Sequence, residues 1–142
     1  MGGFVNIWKL CDLEIKGDAR GSLIAIEQWR NVPFEFKRAY YIFNTKAGVR
    51  RGCHAHKQLS QMIICLSGSC KLSLEDGQLR EEIILASPTS ALMIQGLVWR
   101  ELYDFSPDCV LLVLADQYYN ENDYIRDYDE FSKLALEITE GG

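Results

Sequence analysis

The sequence predicts an all-β domain, a sandwich or barrel of antiparallel strands with one short C-terminal helix. Three observations carry that prediction. Short runs rich in β-branched and aromatic residues follow one another along the chain. Turn residues punctuate them about every 8 to 12 residues, the spacing of sandwiches and barrels. The apolar period changes to steps of three and four only in the tail. With 142 residues the chain fits one compact domain, 1–142, long enough to close a hydrophobic core.

Taken in order, SLIAIEQW (22–29) follows the turn Gly17–Gly21, and FKRAYYIFN (36–44) follows Pro33. QMIICLSG (61–68) and SCKLSLEDG (69–77) meet at a tight Ser-Gly junction. LREEIILAS (79–87) follows Asp76-Gly77, a strong hairpin signal. SALMIQG (90–96), WRELYDF (99–105) and CVLLVLAD (109–116) complete the set of strands. From 123 to 139, apolar residues at Tyr124, Tyr128, Phe131, Leu134 and Ile138 predict an amphipathic helix packed across the barrel. There is no internal repeat, low-complexity segment or linker.

A net charge of -5 argues against nucleic-acid binding, although Arg50-Arg51 can still grip one phosphorylated ligand. No apolar run approaches the ~20 residues that cross a bilayer, and the first residues lack the charged-then-apolar order of a signal peptide. The five cysteines (11, 53, 65, 70 and 109) form no C-x-x-C pair and sit mostly in apolar runs. Buried, reduced thiols and a cytoplasmic protein are the expectation.

Both histidines of the chain lie in GVRRGCHAHKQLSQ (48–61). On a strand, residues i and i+2 share a face, so His54 and His56 project together, opposite Cys53, Ala55 and Lys57. An isolated H-x-H is more often an ordinary surface or core pair, but its setting here is G-x5-H-x-H-x4-Q-x6-G, from Gly48 to Gly68. That spacing resembles the first motif of the cupin superfamily, with Gln61 where the motif carries Glu. The resemblance implies a cupin-type antiparallel β-barrel (jelly roll) with its active site in the open mouth. Most cupins bind a metal through two His, this Glu and a third His. Here Gln61 is a poor transition-metal ligand, Arg100 in QGLVWRE (95–101) takes the place expected for the last His, and no third His exists. The expectation is therefore no metal and no cofactor. Two imidazoles, ordinarily titrating near ~6.5, suit proton transfer near neutrality.

RGSL (20–23), FKRAYYIF (36–43), RGCHAHK (51–57), CLSGSCKL (65–72), LYDFSPDCVLLVLAD (102–116) and NDYIRDYDEF (122–131) resemble the nucleoside-diphosphate-sugar 3,4-ketoisomerases. The resemblance implies an isomerase acting on dTDP-4-keto-6-deoxyglucose, with a catalytic H-x-H pair and no metal. It implies a homodimer that exchanges N-terminal strands, and a product aminated for the 3-amino-3,6-dideoxyhexoses of lipopolysaccharide or S-layer glycans. It also places a tyrosine beside the catalytic histidine as a donor to the sugar.

The catalytic candidates are then His54, His56 and Tyr40, with the identity of the base left open. Tyr41 points opposite to Tyr40, so at most one of them easily faces the interior, and Tyr41 is a candidate for binding. Arg20, Arg38 and Arg51 suit a pyrophosphate. Gln61 and Arg100 complete the substrate-binding candidates, whereas Trp99 and Asp104 read as structural. If one imidazole removes the C3 proton and protonation at C4 comes from the same side, the galacto product results. A donor organised by Arg100 across the ring would give the gluco product. Competing readings are a sugar-nucleotide 3,5-epimerase, a longer chain without the H-A-H pair, a sugar-nucleotide-binding cupin without catalysis, and a metal-dependent cupin.

Overall fold

The computed structural model describes residues 7–141; residues 1–6 and 142 lie outside it, including the start of any exchanged N-terminal segment. Its strands are β1 (Ile7–Asp12), β2 (Lys16–Asp18), β3 (Gly21–Leu23), β4 (Arg38–Ile42), β5 (Arg51–His56), β6 (Gln61–Ser67), β7 (Cys70–Glu75), β8 (Arg80–Leu85), β9 (Ser90–Gln95), β10 (Trp99–Tyr103), β11 (Val110–Ala115) and β12 (Tyr124–Ile125); a single 3-10 turn (Glu121–Asp123) precedes β12, and an α-helix, α1 (Tyr128–Gly141), follows it. Two five-stranded sheets, ordered β1-β9-β6-β11-β4 and β12-β5-β10-β7-β8, face each other, and β2-β3 is a separate hairpin. Strand pairing within both sheets is antiparallel. This is the expected cupin-type barrel.

Alternation builds the core between the sheets. Ile63, Cys65, Leu92, Ile94, Leu111 and Val113 project from the first sheet onto Leu72, Leu74, Ile83, Leu85 and Leu102 of the second. The first sheet is also covered outside, which is why QMIIC is buried at every position. Its outer side chains Met62, Ile64, Met93 and Leu114 lie under Leu13, Val32 and Phe34, with Ile24, Ile26 and Phe36 at the margin. The second sheet is covered outside by α1, whose Phe131 and Ala135 pack on Ala55, Trp99 and Ile125.

Two expectations change, the extent of one strand and the start of the helix, and the Ser-Gly junction gains a role. SLIAIEQW is not one strand: β3 ends at Leu23, and the chain beyond it winds over the first sheet, burying Ile24 and Ile26 without joining a ladder. The Ser-Gly junction carries the chain from one sheet to the other, since β6 and β7 belong to different sheets. The helix begins at Tyr128, not 123. Asp127 is its cap, accepting from the Asp129 backbone N–H at 2.9 Å, and residues 124–125 instead pair with β5. The Asp76-Gly77 hairpin stands as expected, with Gly77 at φ +99° and the Asp76 carboxylate accepting from the backbone N–H of Gln78 and Leu79. All five cysteines are free thiols, though Cys11 and Cys53 are only half-buried. Among the described residues, no helix is long and apolar enough to cross a membrane.

Candidate active site

The two histidines reach the barrel interior through a bulge. Opposite β10, Arg100 pairs with His54 and Glu101 with Gly52, so Cys53 is the extra residue on β5. Gly52 at φ +79° and Cys53 at φ +55° turn the chain there. Because of that extra residue, Arg51 lines the same cavity as His54, although three positions along a regular strand would set them on opposite faces. Cys53 packs outward beside Ala55.

The ring centroids of His54 and His56 lie 4.7 Å apart, edge to face. His54 Nδ1 is 2.9 Å from the Gly52 carbonyl oxygen. His56 Nδ1 is 3.0 Å from Asp123 Oδ2, while the other Asp123 oxygen accepts from the Gln58 backbone N–H at 2.8 Å. A carbonyl and a carboxylate only accept, so both imidazoles carry their proton on Nδ1 and leave Nε2 with a free lone pair. His56 Nε2 is buried and has no partner among the described residues. Tyr124 from β12 packs against both rings, at 4.9 Å from His54 and 4.3 Å from His56. Burial, and after it the charge of Arg100, pushes His54 down to about 4. The same two causes in the same order push His56 further down. Both rings are neutral at physiological pH.

Across from them stands a chain of polar groups. Arg100 is 2% exposed and has no carboxylate partner among the described residues. Its Nε and Nη2 donate to the Val98 carbonyl at 3.3 and 3.0 Å, and Nη1 donates to Gln61 Oε1. Gln61 Nε2 in turn donates to the Tyr40 hydroxyl at 3.1 Å. Burial lowers the guanidinium to about 10, still cationic at neutral pH, and raises the Tyr40 phenol, which therefore stays protonated. Tyr40, Arg51, His54, Gln61 and Arg100 line one cavity of about 130 Å³, floored by Ile63 and Val113. That is smaller than the ~300–1,000 Å³ that encloses a whole drug-sized ligand, so it suits the reacting end of a longer molecule.

These residues do not fit a metal. The only good ligand atom of Gln61 accepts from Arg100, and a guanidinium stands where a third ligand would be needed. Among the described residues no other cluster of His, Cys, Asp or Glu could hold an ion.

The remaining candidates divide. Arg38 does not line this cavity but lies beside Tyr40, its guanidinium 5.3 Å from the Tyr40 ring and 5.9 Å from that of Tyr119, with Nε buried and unpartnered among the described residues. Tyr41 is 65% exposed on the outer face of β4 and lies against Phe43, so the chain does not bring it to the histidines. Arg20 is also apart, exposed on the β2-β3 hairpin and paired with Asp18 at 2.6 Å. Trp99 is in the layer under α1, and Asp104 pairs with Lys71 at the surface. Asp123 and Tyr124 were missed because the stretch reads as the first turn of a helix. The signal against that is D-x-x-E at Asp127–Glu130, a capping pattern that starts the helix later.

Comparison with known proteins shows the family. Residues 6–136 match the family described as FdtA: WxcM-like, C-terminal. The chain is 54% identical over 121 residues to the TDP-4-oxo-6-deoxy-α-D-glucose-3,4-oxoisomerase of Aneurinibacillus thermoaerophilus, covering 85% of this chain and 87% of that one. It belongs to the sugar-nucleotide 3,4-ketoisomerase family. As a family member it is an isomerase on a cupin barrel. A mutant 3,4-ketoisomerase from Thermoanaerobacterium thermosaccharolyticum, solved with TDP-4-keto-6-deoxyglucose, superposes with a TM-score of 0.89 at 42% identity, covering 92% of this chain and 94% of that one. A dTDP-4-dehydrorhamnose 3,5-epimerase from Bacillus anthracis, 17% identical with a TM-score of 0.71 over 82% of this chain and 76% of its own, shares the fold alone.

Proposed function

We propose that this ketoisomerase converts dTDP-4-keto-6-deoxy-D-glucose to the dTDP-3-keto-6-deoxyhexose through an enediol, with a histidine as base. The observation that carries the reading is the pair of neutral imidazoles with Nδ1 tied down and Nε2 left as an acceptor, beside a phenol and a buried guanidinium that has no carboxylate partner among the described residues. His54 lines the cavity, whereas His56 is 1% exposed behind it. His54 is therefore the base and His56 its neighbour in the relay.

In the first half, Nε2 takes the C3 proton, the C–H electron pair becomes the C3–C4 double bond, and O4 gains the negative charge and then a proton. In the second half, O3 loses its proton, C4 gains one, and the carbonyl is left at C3. Tyr40 and Arg100 act at the oxygen where charge develops. Arg38 and Arg51 take the phosphates. Two imidazoles on one strand favour same-side transfer and the galacto product, which a 3-amino-sugar route would then aminate. The work is cytoplasmic.

The enzyme acts as a homodimer. Exposed Ile15, Leu23 and Leu66 line an apolar cavity with Ile24 and Ile26, a surface that a second copy would cover. Arg20 and Tyr41, set away from the histidines, would contribute to binding only across such a contact.

The test is an NMR time course of dTDP-4-keto-6-deoxyglucose in deuterated water. Deuterium at C4 of a 3-keto product is expected. Exchange at C5 would instead indicate epimerisation. His54→Asn should keep the fold and lose ~10²–10⁴-fold in rate.

A further inference from the structure

Gln61 is 3% exposed and hydrogen-bonded on both sides, so its position does not suit a substrate contact. Its amide is set by its neighbours. Arg100 has donors only, so the Gln61 carbonyl oxygen must face it and the amide nitrogen must face Tyr40. The flipped amide would set N–H groups against a cation. The Tyr40 oxygen then accepts, and its hydroxyl proton must leave in another direction. Tyr40 lines the cavity beside His54, and no acceptor among the described residues takes that proton.

We propose that Gln61 is a positioning residue: held by Arg100, it fixes the hydrogen-bond direction of Tyr40, so that the phenol donates to the sugar oxygen where charge develops. This rests on the ketoisomerase reading and deepens it. It also explains a glutamine at this point of the barrel. A carboxylate would accept from Arg100 and from Tyr40 alike, drawing the phenol proton away from the cavity and neutralising the guanidinium.

The test is a double-mutant cycle with Gln61→Glu and Tyr40→Phe, measured as kcat and KM with the keto sugar nucleotide. Each single change should lower kcat by ~10²-fold, as loss of one oxyanion donor does, with KM nearly unchanged. Since both remove the same donor, the double variant should be no slower than the slower single one. Losses that multiply would show that Gln61→Glu acts through Arg100 or packing alone, leaving the Tyr40 donor in place, and would overturn the proposal, as would a Gln61→Glu variant of near-normal kcat. Should that variant fail to fold, Gln61→Met replaces it in the same cycle with the same two outcomes. A second readout needs no turnover. With tyrosine labelled at ¹³Cζ, the Tyr40 resonance, assigned through Tyr40→Phe, should move downfield in Gln61→Glu as the phenol begins to donate to a carboxylate. An unmoved resonance overturns the proposal. A moved resonance in a protein whose wild type does not isomerise the sugar supports it and sinks the ketoisomerase reading instead.

Discussion

His54 ties stability and activity to pH through a single ring. Its ordinary value near ~6.5 governs the unfolded chain, whereas burial holds it at about 4 in the folded protein. Between those values the unfolded state binds a proton that the folded state does not, so stability rises with pH across the window. It is full above about 6.5 and is lost as pH falls toward 4. His54 alone contributes on the order of 3 kcal/mol over that range. Urea titrations at a series of pH values should show this slope, and His54→Asn should reduce it, leaving the part that the still more depressed His56 contributes. A wild-type midpoint that is level from pH 6.5 to 4.5 would contradict the neutral buried ring. The same depression would keep the proposed base competent in mild acid. The acid limb of kcat/KM is therefore expected well below 6.5, reporting on the free enzyme.

At the scale of the element, β5 matters less for being a strand than for being a bulged one. Gly52 is what permits it: a Cβ added there would stand 3.0 Å from both the Arg100 carbonyl oxygen and Leu102 Cδ1, at φ +79°. Gly52→Ala is expected to cost about 1–2 kcal/mol from the left-handed backbone. It should also lower kcat by roughly 10-fold or more, because small misplacements of reacting groups are expensive. Thermal melting with kinetics measures both; an unchanged kcat would mean the bulge does not set the geometry of Arg51 and His54. β12 is the other short element that counts, since two residues pairing with Ala55 and His56 put Asp123 on the imidazole and Tyr124 against both rings.

The whole molecule is layered: wrapping segment, first sheet, second sheet, helix. The wrapping segment leaves Leu23 58% and Leu66 46% exposed around an apolar cavity. Covering such a surface stabilises by about 25 cal/mol per Å² of apolar area removed from water. Light scattering at micromolar concentration should give roughly twice the 16.2 kDa of one chain. Leu66→Lys should shift the mass toward the monomer. An active wild-type monomer would defeat the expectation of a dimer.

By itself the sequence determined the all-β class, most strands, the outward and inward faces and the H-x-H pair. All of these rest on local spacing: alternation of period two sets Tyr40 against Tyr41, and turn residues mark where strands stop. It also carried the family likeness, through runs spread along nearly the whole chain. Only the tertiary structure decided the rest. Ile24 and Ile26 look like strand residues, yet they serve a second hydrophobic layer, because burial can be satisfied without a ladder. Tyr124 fits a helical period, yet pairing with β5 claims it, and with it Asp123, 67 residues from its partner His56. The state of Gln61 needed its neighbours most of all. Which way an amide points depends on what faces each end of it, and Arg100 and Tyr40 come to those ends only when two sheets close into a barrel.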